Sequence, residues 1–268
     1  MNSVECLFTG KGSSTDPKID FYNIINNAFK AGYSFAAWRM PGQRAIKLVS
    51  DDEPVALYDH PEIETLDSGF IIHPFEINSE HCAYNIRAQF SLVFTDKDCN
   101  WQFDTQLGAH KIQQITEDLI TPFQPIESSI QYLNDIVDTQ TEEKDHYIQL
   151  VKSCIEQIES GSYRKIVPSR CRQVKSKTPI DALATFMEAC KKYPLAFVSL
   201  VCLPNREIWI GATPEHLIGI DADNTFFTTS LAGTQLHQKD VNLSDIAWKQ
   251  KEIEEQALVS RFIIDCFK

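Results

Sequence analysis

The 268-residue chain carries 37 acidic against 25 basic side chains, a formal charge of −12, which argues against nucleic acid or an anionic membrane as principal partner because both need a basic surface. Its composition, 43% hydrophobic and 23% charged, is that of a soluble globular protein with enough apolar residues for a sizeable core. The eight cysteines (Cys6, Cys82, Cys99, Cys154, Cys171, Cys190, Cys202, Cys266) form no C-x-x-C pair, so reduced thiols in a cytoplasmic protein fit better than a zinc knuckle or a disulfide frame. The N-terminus, MNSVECLFTGKGSS, has no basic segment followed by an apolar core, and the longest apolar run, Leu195 to Leu203, is too short to span a bilayer.

In chain order, Gly10-Lys11-Gly12-Ser13 has the composition of a phosphate loop without its spacing and is expected to be a flexible turn. An amphipathic helix follows from about Asp16 to Ala31. The runs YSFAAWRM and RAIKLVS, split by Pro41-Gly42-Gln43, predict a hairpin, and GFIIHPFE and YNIRAQFSLVF predict further strands of one antiparallel sheet. From about Asp96 to Thr141 the pattern weakens around Pro122, Pro125 and a polar DTQTEEKD stretch. This is expected to connect an N-terminal region, 1–141, to a catalytic one, 142–268.

Tyr147, Val151, Cys154, Ile155 and Ile158 then recur at helical spacing and Gly161 supplies a stop. The helix leads into YRKIVPSRC, Tyr163 to Cys171, expected to be a strand in which Tyr163, Lys165, Val167 and Cys171 share one face. A strand lysine is most often a solvated surface residue. Here it sits in a basic segment, Arg164, Lys165, Arg170, Arg172, Lys175 and Lys177, free of Asp and Glu, which would suit a small anionic ligand. A helix over Pro179 to Lys192 and a hairpin of LAFVSLVCL and EIWIGA about Pro204-Asn205 come next. The hairpin ends in Thr213-Pro214-Glu215, where the proline restricts the direction in which Glu215 leaves. Short strands in HLIGI and TFFTT precede Leu231-Ala232-Gly233-Thr234, where a glycine permits close approach of a ligand. The last helix is expected from a Ser244 cap with Asp245 in its first turn, Glu252 and Glu255 projecting from one face as a solvated acidic surface or a hard-cation site. Its apolar periodicity runs to the last residue, so a longer natural chain is expected.

Taken in order, YRKIVPSR, IGATPEHL, TTSLAGT and WKQKEIEEQALV resemble the four successive motifs of the chorismate-utilising enzymes: isochorismate synthases, salicylate synthases and the large subunits of anthranilate and aminodeoxychorismate synthases. The resemblance covers Glu142 to Lys268 and implies an α/β (α+β) fold, a layered antiparallel sheet with outer helices. Lys165 occupies the position where the water-adding members carry lysine and the nitrogen-adding members glutamine; water needs a base, whereas ammonia attacks unaided. The resemblance therefore implies an isochorismate synthase, whose product would feed menaquinone or siderophore synthesis. Lys165 would be the base that activates water for attack at C2 of chorismate, and Glu215 the acid that protonates the departing 4-hydroxyl. Gly233 and Thr234 would bind substrate, and Glu255 with Glu252 would hold Mg²⁺. An unperturbed lysine near ~10.4 and glutamate near ~4.3 would both be in the wrong state at neutrality, so a dry pocket around both is expected.

Two departures accompany the resemblance. Gln256 stands where the family's metal helix carries histidine, and the segments that follow this helix in the family, including a second metal glutamate, have no counterpart in the chain. Little turnover is therefore expected of these residues alone. The alternatives are a salicylate synthase, which goes on to eliminate pyruvate, and a non-catalytic chorismate-binding module.

Overall fold

The computed structural model describes residues 8–57, 62–78, 82–121, 131–132, 140–171, 174, 176, 178–204, 207–236, 242 and 246–268. Its centre is a seven-stranded antiparallel sheet built from β1 (Thr9–Lys11), β2 (Ser34–Arg39), β3 (Ile46–Asp51), β7 (Phe90–Phe94), β8 (Cys99–Phe103), β11 (Phe197–Cys202) and β12 (Ile208–Thr213). The spatial order is β1-β8-β7-β3-β2-β11-β12. The predicted hairpin is present as β2 paired with β3, Ala36 opposite Val49. Val198 of β11 stands opposite Arg39 of β2, so the N-terminal and C-terminal regions share one sheet.

Strand alternation sends successive side chains to opposite faces, and the two faces meet different layers. Phe35, Ala37, Leu48, Leu92, Val198 and Leu200 face helices α1 (Pro17–Ala31), α2 (Ala109–Leu119) and α4 (Ala182–Lys192), meeting Phe21, Ile25, Ile115, Leu119, Leu183 and Phe186 in the main core. Phe21 stacks on Phe94 with centroids 4.7 Å apart. Ala36, Val49 and Val201 point the other way, onto Ile86 and Phe70. These belong to a separate three-stranded sheet, β4 (Val55–Leu57), β6 (Ala83–Arg87) and β5 (Gly69–Ile72), in the order β4-β6-β5. The layers are thus helices, large sheet, small sheet, in keeping with the expected class.

Several local expectations are corrected. The glycines at 10 and 12 do not mark a flexible turn, because Thr9–Lys11 pairs with β8 and Gly10 lies opposite Trp101. The supposed connection after Asp96 contains both β8 and α2, whose Ile112, Ile115 and Leu119 are buried. GFII and YNIR form the second sheet instead of extending the first. Pro122, Pro125 and Cys6 lie outside the described residues, as do Ser244 and Asp245, the expected helix start. The final helix, α5 (Gln250–Cys266), begins instead after Lys249. Helix α3 (Gln140–Glu159), a 3₁₀ turn at Ile63–Thr65 and the two-residue ladders β9 (Gln131–Tyr132) with β10 (Ile180–Asp181) and β13 (Gly219–Ile220) with β14 (Phe226–Phe227) complete the described elements.

Candidate active site

Helix α3 ends where glycine predicts. Gly161 has φ +79°, and its N–H donates to Ile158 O at 3.0 Å while that of Ser162 reaches Gln157 O at 3.2 Å, a left-handed C-terminal cap. The chain leaves as an irregular segment through Lys165. Tyr163 to Cys171 is not a strand: Tyr163 and Val167 are exposed, the latter at 75%, and the segment pairs with no described strand. The sequence predicts a strand here, but among the described residues no sheet edge takes this segment up.

Lys165 is nevertheless held. Its Nζ donates to Glu255 Oε1 at 2.7 Å across 90 residues of sequence, and the two side chains are 27% and 32% exposed. The ammonium beside it lowers the Glu255 carboxyl below the ordinary glutamate range, chiefly through the hydrogen bond and then through charge. Of the basic segment, Arg164 and Arg170 are exposed, Arg170 lying over the Tyr147 ring, and Arg172, Lys175 and Lys177 lie outside the described residues.

One turn before Glu255, Glu252 supports the third motif. Gly233 packs so closely on the helix that a Cβ added there would meet Glu252 O at 2.5 Å, so glycine is required by this approach. Gln256 binds the same segment: its Oε1 accepts from Ala232 N at 3.0 Å and its Nε2 donates to Ser230 O at 2.9 Å and Ser230 Oγ at 3.0 Å. The second motif joins one residue earlier, where Thr229 N donates to His216 O at 3.3 Å and His216 sits against the Phe227 ring. Glu215 follows the β12 edge strand, its N–H donating to Thr213 Oγ at 3.2 Å. All four motifs are therefore linked, Lys165 to Glu255, Gln256 and Glu252 to residues 230–233, and residue 229 to His216.

The dry pocket expected around Lys165 and Glu215 is not built by the described residues. Glu215 is exposed, as is Thr234, and Lys165 is turned to Glu255. Sequence reasoning treated Gln256 only as a departure, although an amide offering both donor and acceptor is a signal for binding a stretch of backbone. Among the described residues no group of three or more His, Cys, Asp or Glu is gathered for a metal. Glu252 Oε2, however, is buried with no hydrogen-bond partner among them, and an ionised Glu255 lies on the same helix. Glu252, with its unsatisfied oxygen, is a donor of the kind a hard cation would take, with Glu255 as the second carboxylate once released from Lys165.

No described helix is long and apolar enough to cross a membrane. No curated protein matches the chain by sequence. Among solved structures it is similar to MenF, the menaquinone-specific isochorismate synthase from Escherichia coli, with a TM-score of 0.52 and 12% identity. That match covers 95% of this chain and 57% of MenF, so the chain spans less than two thirds of its structural neighbour. At that identity the likeness is one of fold. The family model described as chorismate binding enzyme matches residues 67–268, a stretch that includes every candidate site residue, and the chain therefore belongs to the chorismate-binding enzyme family.

Proposed function

We propose that the chain binds chorismate and forms isochorismate by adding water at C2 and losing the 4-hydroxyl. The observation that carries this reading is the Lys165–Glu255 pair, which sets an amine, at the position where the water-adding members resemble this chain, against a carboxylate of the proposed metal helix. The family match supports chorismate as substrate, and lysine rather than glutamine at position 165 supports water as the nucleophile.

In the proposed site Glu255 and Glu252 would hold Mg²⁺, which when bound would neutralise the carboxylate of the substrate ring. Lys165, released from Glu255 and uncharged at the moment of reaction, takes a proton from water as its oxygen bonds to C2. The ring double bonds shift, the C4–oxygen bond breaks, and Glu215 gives its proton to the leaving hydroxyl, which departs as water. One water enters and one leaves, so the overall change is an isomerisation. Gly233 brings backbone to the substrate and Thr234 a hydroxyl. Glu215 is open to solvent, so in this proposal it turns in toward the substrate to reach the leaving hydroxyl.

Incubation with chorismate and Mg²⁺, followed by chromatography of the products, tests the reading. Isochorismate is expected, and its formation should fall by about 10²-fold or more in Lys165→Ala, the scale of a lost general base. Salicylate with pyruvate would identify a salicylate synthase instead. The exposure of Glu215 favours one other reading, a module that binds chorismate without converting it, for which Lys165→Ala would remove no turnover.

A further inference from the structure

We propose that Gln256 is a positioning residue that holds residues 230–233 in place for the ligand, acting as a side-chain substitute for a neighbouring β-strand. In extended backbone the C=O of one residue and the N–H of the second residue after it point to the same edge. Gln256 spans that pair on the third motif, accepting from Ala232 N at 3.0 Å and donating to Ser230 O at 2.9 Å. No described strand pairs with residues 230–233, so this amide does for them what a sheet neighbour would do. Only an uncharged group with donor and acceptor side by side can serve both backbone groups; a carboxylate lacks the donor and an ammonium the acceptor.

The clamp is braced from its own helix. Ser260 Oγ donates to Gln256 O at 3.0 Å, lies 3.1 Å from Ser230 Oγ, and accepts from Gln256 Nε2 at 3.4 Å. Two further contacts lie beside it. Gly233 is pressed against Glu252 O, and the adjacent Glu255 is fixed with respect to Lys165. The helix face that carries the proposed cation ligands and the segment that carries the proposed substrate contacts are thus registered to each other by Gln256, beside the Ser260–Ser230 hydroxyl contact and the packing of Gly233 on Glu252.

The ligand named here, chorismate, rests on the proposed function; the clamp does not. Gln256→Met keeps length and helix propensity but removes both hydrogen bonds, and Ser230→Ala removes only the hydroxyl contact. Backbone amide exchange of Ala232, measured without ligand, should accelerate at least tenfold in Gln256→Met and change little in Ser230→Ala. The chorismate Kd, from tryptophan fluorescence titration, should rise about tenfold in Gln256→Met, the equivalent of one to two hydrogen bonds, and about twofold at most in Ser230→Ala. A merely structural role would lower the active fraction and leave Kd alone. Unchanged Ala232 exchange, or unchanged Kd in Gln256→Met, would overturn the proposal. A wild-type chain that binds no chorismate while Gln256→Met still frees the Ala232 amide would instead sink the chorismate reading and leave the clamp standing.

Discussion

Lys165 and Glu255 meet at 2.7 Å although 90 residues separate them, and this contact fixes the otherwise irregular first motif to the final helix. Because the pair is partly exposed, solvent screens it, and its role is to orient more than to stabilise. The Glu255 carboxyl is lowered from its ordinary value by the Lys165 hydrogen bond first and by its charge second. A carboxyl with a depressed folded pKa contributes stability above the ordinary glutamate range and loses that contribution as pH falls through the lowered value. Carboxyl NMR should therefore show Glu255 titrating below the usual glutamate midpoint, and Lys165→Met should move that midpoint upward. An unmoved midpoint would mean the pair is not formed in solution.

The approach of Gly233 to Glu252 sets a steric limit. A methyl group at 233 would lie 2.5 Å from the Glu252 carbonyl oxygen, inside any van der Waals contact, so the backbone must give way. Gly233→Ala is expected to lower stability by about 1–3 kcal/mol, the usual range for overpacking. It should weaken chorismate binding more than Gly211→Ala, where a Cβ meets only Ser199 Oγ at 3.4 Å. Parallel denaturant and binding titrations of the two variants provide the comparison.

Arg39 stabilises the join between the two halves of the chain. It is 4% exposed, and its guanidinium donates to Tyr193 O at 2.6 Å, Pro194 O at 2.8 Å and Ala196 O at 3.1 Å, just after α4, as well as to Met40 O and Gln43 O. Removing it strands several carbonyls, so Arg39→Ala should cost about 2–4 kcal/mol in urea denaturation. Arg39→Lys should recover only part of this, because one ammonium cannot span the same set of acceptors.

Cysteine reactivity should follow burial. Cys99 is 1% exposed, and burial first, then the charge of Asp20, pushes its thiol up to about 12. Cys171 and Cys266 are exposed. Iodoacetamide at mildly alkaline pH should modify Cys171 and Cys266 in the native chain and Cys99 only in denaturant, as peptide mass mapping would show. Rapid native labelling of Cys99 would contradict the packing of β8 against α1.

The elements legible in the sequence are those whose periodicity coincides with burial. Phe21, Ile24, Ile25 and Ala28 repeat at helical spacing and are all buried in α1, with Asp16 as the N-cap accepting from Lys18 N at 2.9 Å. In β2 and β3 the alternation about Pro41-Gly42-Gln43 matches two packed faces. Helix α2 was missed because AHKIQQITEDL shows only Ile112, Ile115 and Leu119 as its apolar stripe among polar residues, too sparse to stand out beside the prolines that follow. Lys165 is expected in a strand and lies in irregular backbone, because the local sequence cannot say whether a sheet edge exists to receive it. For the site, the order of the four motifs was legible and their linkage is present. Burial of Glu215 is expected only from the role the resemblance implies for it, and the described residues leave it exposed.

Oxygen isotope labelling tests the central claim most directly. With chorismate and Mg²⁺ in ¹⁸O-enriched water, the account predicts isochorismate carrying one labelled oxygen at C2, formed about 10²-fold or more slowly by Lys165→Ala. Isochorismate that retains only unlabelled oxygen, or a chain that neither binds nor converts chorismate, would contradict it.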